Sequence, residues 1–141
     1  MKNVSKLVVR MGLLSLLSVM PLAAQIANGV DFTASFPFYA GNAKMPAGSY
    51  KIIQSDPDLN ILQIQSSDGA HSAFVDIIPT HSAQPHPHSD VTFHKYGDTE
   101  YIDRIWVEGQ EYGMKVDPTK AEMKAATNAN VVEHSPSADL R

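Results

Sequence analysis

The stretch Val91–Val107, VTFHKYGDTEYIDRIWV, constrains the fold most, because it reads as two β-strands joined by a tight turn. Gly97-Asp98 suits a type II′ connection, with glycine at the position that needs positive φ. That register sets Lys95 opposite Glu100, His94 opposite Tyr101, Phe93 opposite Ile102 and Thr92 opposite Asp103. A longer loop, Gly97–Glu100, would set His94 opposite Asp103 instead. Both loops have even length, so both sort the side chains the same way. One face carries Val91, Phe93, Ile102, Arg104 and Trp106, and is the expected core face, with Arg104 paired or at an edge. The other carries Thr92, His94, Tyr96, Tyr101, Asp103, Ile105 and Val107, a mixture able to line a pocket.

The preceding chain repeats the strand pattern. In Val30–Tyr39 the residues Val30, Phe32, Ala34, Phe36 and Phe38 alternate with Asp31, Thr33, Ser35 and Pro37. A period of two marks a strand with one buried face, and Pro37 marks its edge or end. Turns at Gly41-Asn42 and Pro46-Ala47-Gly48 lead into Ser49–Gln54. After Ser55–Asp58 comes Leu59–Gln65, with Leu62 and Ile64 inward; after Ser66–Gly69 comes His71–Ile78. Thr80–Asp90, THSAQPHPHSD, reads as a polar loop broken by two prolines. Gly109 and Gly113 break the pattern beyond the hairpin. Thr119-Lys120-Ala121-Glu122 fits a capping box, so a short helix is predicted over Thr119–Thr127. About seven short strands separated by turns predict an all-β fold, a small antiparallel sandwich or barrel with one short C-terminal helix.

The chain has 141 residues and no cysteine. Lys2, Lys6 and Arg10 precede the apolar run Met11–Met20 and then Pro21-Leu22-Ala23-Ala24, the pattern of a secretory signal peptide cleaved after Ala24, or after Ala27. The expected organisation is therefore a signal peptide over 1–24, a β-domain with its helix over 25–127, and a flexible tail over 128–141. Removing the three leader cations leaves eight Lys plus Arg against fifteen Asp plus Glu, about −7. That balance argues against nucleic acid or anionic membrane surfaces as partners. The apolar run is shorter than the roughly 20 residues a membrane helix needs, so no transmembrane segment is expected in the mature chain. The expected location is the periplasm or the cell exterior.

FPFYAGNAKMPAGSYKI at Phe36–Ile52 and FHKYGDTEYIDRIW at Phe93–Trp106 resemble a group of small exported bacterial proteins to which no activity is assigned. In that group an aromatic strand runs into a Gly-Asn turn and then Leu or Met-Pro-Ala-Gly-x-Tyr, followed later by Phe-His-x-Tyr-Gly-Asp, a Trp and a capped helix. The match spans roughly Phe32 to Ala126. The resemblance implies export and a compact β-domain, and no chemistry. The chain departs from the group at Thr80–Asp90, which is Lys/Glu-rich there and histidine-rich here.

Three constellations could carry function. His81, His86 and His88, with His94 on the adjoining strand, offer imidazoles for Zn(II), Cu(II) or Ni(II), and Asp90 could add an oxygen; the alternative is a solvated loop with incidental histidines. His94 with Tyr101 or Asp103 could do acid–base chemistry of a hydrolase type, or could simply hydrogen-bond the hairpin together. The aromatics, Tyr96, Tyr101 and Trp106 among them, with Arg104 beside them, could bind a ligand or partner, or be core. No catalytic signature is present, so the leading expectation is an exported, non-enzymatic domain that acts by binding or assembly with a protein or small molecule. Binding of a transition metal by the histidine-rich loop is the alternative.

Overall fold

A computed structural model describes residues 29–136. The expected signal peptide over 1–24 lies outside them, as do both cleavage positions. Ten strands and one helix fill the described chain: β1 Val30–Ala34, β2 Phe38–Ala40, β3 Ala43–Met45, β4 Gly48–Asp56, β5 Ile61–Ser66, β6 Ser72–His81, β7 Asp90–Tyr96, β8 Thr99–Trp106, β9 Tyr112–Val116, α1 Lys120–Asn128 and β10 Val131–His134. The fold is all-β with a C-terminal helix, as the turn spacing predicts. Among the described residues no helix is long and apolar enough to cross a membrane.

The strands form one continuous sheet. Antiparallel pairings run β1-β4-β5-β6-β9-β8-β7-β10, and the β2-β3 hairpin joins alongside β8 through a parallel contact at Tyr39 and Tyr101. Within the expected small antiparallel sandwich or barrel the structure settles two details: β2 runs parallel to β8, which makes the sheet mixed, and among the described residues no barrel closes. The sheet does curl. Phe32 of β1 reaches Phe93 of β7, ring centroids 6.0 Å apart, although five strands separate them along the path.

An aromatic cluster fills the inside of the curl. Phe38 meets Tyr50 and Phe93 edge-on at 5.1 and 5.2 Å, and Phe36 meets Phe93 at 5.1 Å. Such geometries set ring edges against ring faces and add to the burial of their area. Leu62, Ile64, Val75, Ile102 and Ile105 complete the buried layer. Tyr50 also donates its hydroxyl to the carbonyl of Pro46, which ties the Pro-Ala-Gly turn to the core. The single strand expected over Val30–Tyr39 is divided. The chain leaves β1 after Ala34 and starts β2 at Phe38, with the donor-less Pro37 at the break, so one alternating run supplies two strands with different partners.

The hairpin follows the two-residue register from the turn as far as Phe93 opposite Ile102. Gly97 has φ +62° and Asp98 is not in the left-handed region, as a type II′ turn requires. A β-bulge then intervenes. Thr92 sits opposite Arg104 rather than Asp103, and Val91 opposite Ile105. One extra residue on β8 reverses the side-chain alternation beyond it. Ile105 therefore enters the core, and Arg104 and Trp106 leave the face expected for them.

Two further elements differ from expectation. Gly113 does not end the strand pattern but lies inside β9, directly opposite Trp106. Part of the expected flexible tail is ordered: Val131–His134 forms β10 on the free edge of β7, while 137–141 lie outside the described residues.

Candidate functional site

The outer face of the hairpin gathers most of the ionisable side chains that lie out of solvent. His94 is its centre. Strand alternation puts His94 and Tyr96 on one side of β7, and the register puts Tyr101 across from His94. Alternation along β8 puts Asp103 on the same side, and the bulge turns Arg104 out beside it. β10 brings Glu133 directly opposite His94. Finally α1 lowers Glu122 onto the group. Thr119 caps this helix, its Oγ1 accepting from the Glu122 amide at 3.2 Å. The Glu122 side chain, expected to complete a capping box, reaches Tyr96 instead, whose hydroxyl donates to Oε1 at 3.2 Å.

The two nitrogens of His94 face different surroundings. Nε2 lies 3.2 Å from Asp103 Oδ2 and 3.6 Å from Glu133 Oε2. Nδ1 lies 3.3 Å from the Tyr96 hydroxyl and 3.7 Å from Glu122 Oε1. Arg104 Nη1 stands 3.0 Å from both Asp103 Oδ2 and Glu133 Oε2. Asp103 is 3% exposed and Glu122 6%, so two carboxyl groups are held out of water.

Burial sets the titration of these groups. It pushes the Asp103 carboxyl above its usual range, against the pull of His94 and Arg104. It also raises Glu122, although the Tyr96 hydrogen bond and His94 favour its ionised form. Tyr96 is pushed up to about 12, first by burial and then by the adjacent Glu122 carboxylate. Among the described residues, His94, Asp103 and Glu133 are the one group of three or more side chains whose donor atoms could hold a metal ion, all within 4.8 Å of one another.

The loop histidines are placed elsewhere and apart. His81, at the end of β6, packs edge-on against Tyr112 with Nε2 3.7 Å from Glu111. His86 stacks on Trp106 at 4.2 Å and 12°. His88 is exposed. The loop itself is braced: the His86 amide donates to the Gln110 carbonyl, and the Gly109 amide to that of His86. The structure thus brings His94 together with carboxylates and not with His81, His86 or His88.

The aromatic candidates are packed residues. Tyr96, Tyr101 and Trp106 are each 7–8% exposed. Tyr101 stacks on Tyr39 at 5.2 Å, and Trp106 lies against the bare backbone of Gly113. Arg104, the fourth binding candidate, is committed to Asp103 and Glu133. Sequence reasoning reached His94, Tyr101 and Asp103, and missed Glu122 and Glu133. Glu122 carries a capping pattern that fully accounts for it in sequence. Glu133 becomes relevant only through β10, for which four residues without alternation give no signal.

A second feature lies where the sheet stays open. A cleft of about 430 Å³ runs between β1 and the start of β7, lined by Asp31, Phe32, Thr33, Tyr50, Asp90 and Val91 among others. Among the described residues β1 pairs with β4 alone, and β10 covers β7 only from Phe93 to Tyr96. No family model, curated protein or solved structure matches the chain, so both features are read from their own geometry.

Proposed function

We propose that the protein is an exported, non-enzymatic β-domain that binds an extended, basic polypeptide segment along β1. The observation that carries this reading is the open seam. Among the described residues β1 has a strand partner on one side only, and the cleft beside it has an aromatic floor of Phe32 and Tyr50 with Asp31 and Asp90 at its rim. A strand edge supplies main-chain hydrogen bonds to an added peptide, and flanking pockets select its side chains. Two carboxylates at the rim favour a segment carrying Lys or Arg. Export is supported by the basic, apolar and small-residue succession of 1–24 and by the resemblance of Phe32–Ala126 to small exported proteins. A non-enzymatic role is supported by the partners of His94, two of which, Glu122 and Glu133, tie α1 and β10 to the hairpin.

The test uses short alternating peptides of matched hydrophobicity, one Lys-rich and one Glu-rich, with binding followed by fluorescence anisotropy. The Lys-rich peptide is expected to bind and the Glu-rich one not, and Asp31→Lys is expected to abolish the preference. Asp31 is exposed and its contact with Lys51 is 4.0 Å long, so this change leaves the fold intact. Equal affinity for both peptides, or none for either, refutes the reading.

A further inference from the structure

We propose that His94, Asp103 and Glu133 form a binding site for a divalent transition-metal ion, with Zn(II) as the fitting probe. The three side chains come from three adjacent strands, β7, β8 and β10, and converge without a loop between them. Ligand atoms about 2.0–2.2 Å from a tetrahedral metal stand roughly 3.3–3.6 Å from one another. His94 Nε2 lies 3.2 Å from Asp103 Oδ2 and 3.6 Å from Glu133 Oε2, which already matches that spacing.

The other side of the imidazole supplies an independent reason. A metal-bound histidine nearly always presents its second nitrogen to a carboxylate or other acceptor, which fixes the tautomer and aims the ring. His94 Nδ1 faces Glu122 Oε1 at 3.7 Å and the Tyr96 hydroxyl at 3.3 Å. Glu122 is itself held by Tyr96 at 3.2 Å. With Nδ1–H donating to the Tyr96 hydroxyl, the lone pair of Nε2 would be available to an ion seated between the two carboxylates.

Charge points the same way. Three carboxylates, Asp103, Glu122 and Glu133, surround His94, and one guanidinium answers them. Arg104 Nη1 sits 3.0 Å from one oxygen of each of the two carboxylate ligands, so it occupies a cation position. Its side chain is 25% exposed, and long enough for the head to swing into water and give that position to a metal. One imidazole and two carboxylates suit Zn(II) and its first-row neighbours, whereas Ca(II) calls for six to eight oxygens. A bound ion would bridge β10 to β7 and β8. This site is separate from the loop histidines and from the cleft beside β1.

Zn(II) is titrated into the full exported chain by calorimetry, with Ca(II) as the control. Four variants run alongside: Glu133→Gln, Asp103→Asn, Arg104→Met and the triple change His81→Ala, His86→Ala, His88→Ala. Wild type is expected to bind one Zn(II) and no Ca(II). Glu133→Gln alters a half-exposed residue and is expected to lose at least about tenfold in affinity, as lost ligation or its support does. Arg104→Met removes the competing cation and is expected to bind more tightly. The triple loop variant is expected to match wild type. Asp103→Asn alters a buried group, so the imidazole ¹⁵N shifts of wild type provide a measurement that needs no variant, with Zn(II) moving Nε2 of His94. Absence of binding in both wild type and Arg104→Met overturns the proposal, as does binding that survives Glu133→Gln and vanishes in the triple variant.

Discussion

Replacing Gly113 by alanine tests whether this glycine is present for space rather than for backbone freedom. It lies within β9, and its φ is not in the left-handed region, so no dihedral demand fixes its identity. An alanine Cβ at this position would stand 2.4 Å from Trp106 Cε3, 2.7 Å from Cζ3 and 2.9 Å from the Ile105 carbonyl oxygen. Carbon atoms in contact normally sit about 3.5–4.0 Å apart, so the ring or the strand must move by more than about 1 Å. The ring has little freedom to do so, because it stacks on His86 at 4.2 Å and the His86 loop is bonded to Gln110. Gly→Ala in a strand without a clash gains about 0.5–1 kcal/mol from reduced chain entropy. Overpacking costs about 1–3 kcal/mol. The net expectation is a loss of about 1–2 kcal/mol, or a midpoint lower by about 4–10 °C for a domain of this size. Thermal unfolding followed by circular dichroism measures it, and Trp106, the sole tryptophan, reports the ring displacement by fluorescence. In a Trp106→Leu background the same alanine should cost less, because only the 2.9 Å approach to the Ile105 carbonyl oxygen remains. A Gly113→Ala protein as stable as wild type, with unchanged fluorescence, would refute the steric argument.

Phe93→Ala removes the ring that joins β7 to Phe32, Phe36 and Phe38, and should cost about 3–5 kcal/mol in urea unfolding. Asp103 and Glu122 have folded pKa values raised by burial, so the folded state holds more protons than the unfolded state above about pH 4. Their contribution to stability therefore falls as pH rises through those folded values, and Glu122→Gln should flatten that fall in urea midpoints measured from pH 4 to 7. Tyr96 should ionise near pH 12, later than an exposed tyrosine, in ultraviolet difference titration against Tyr96→Phe. Amides of α1 and β10 should exchange with solvent well before those of β5, because Met123, Val131 and Val132 are about half exposed and only Glu122 of the helix is buried.

Much of the fold was legible because local chemistry and tertiary structure agree in most elements. Alternation places Leu62 and Ile64 inward on β5, and both are fully buried. Gly97-Asp98 determines the turn and three cross-strand pairs. Thr119 caps α1 as its pattern predicts. The misreadings come from non-local causes. A bulge inserts a residue that no alternation announces, so Ile105 and Trp106 exchange faces. The ends of Val30–Tyr39 pair with different strands although the pattern runs straight through. The candidate site was half legible for a related reason. His94, Tyr96 and Tyr101 follow from the hairpin, whereas Glu122 and Glu133 arrive from later elements whose local sequence explains them without reference to His94.

The bulge links these observations. In a regular hairpin Arg104 would point into the aromatic core with Ile102, where a guanidinium has no acceptor and burying a charge is costly. The inserted residue turns Arg104 outward beside Asp103, and Ile105 fills the core position opposite Val91. Two adjacent β8 residues, one anionic and one cationic, then share a face with His94. That face lies beneath α1 and beside β10, neither of which brings a large buried apolar side chain to it. Besides the backbone ladder of β10 on β7, side-chain polar contacts attach these two elements: Glu122 to Tyr96, Glu133 to Arg104, and His134 to Glu100 at 2.6 Å. A cation placed among His94, Asp103 and Glu133 would act on this attachment directly, because two of its ligands belong to the sheet and the third belongs to β10.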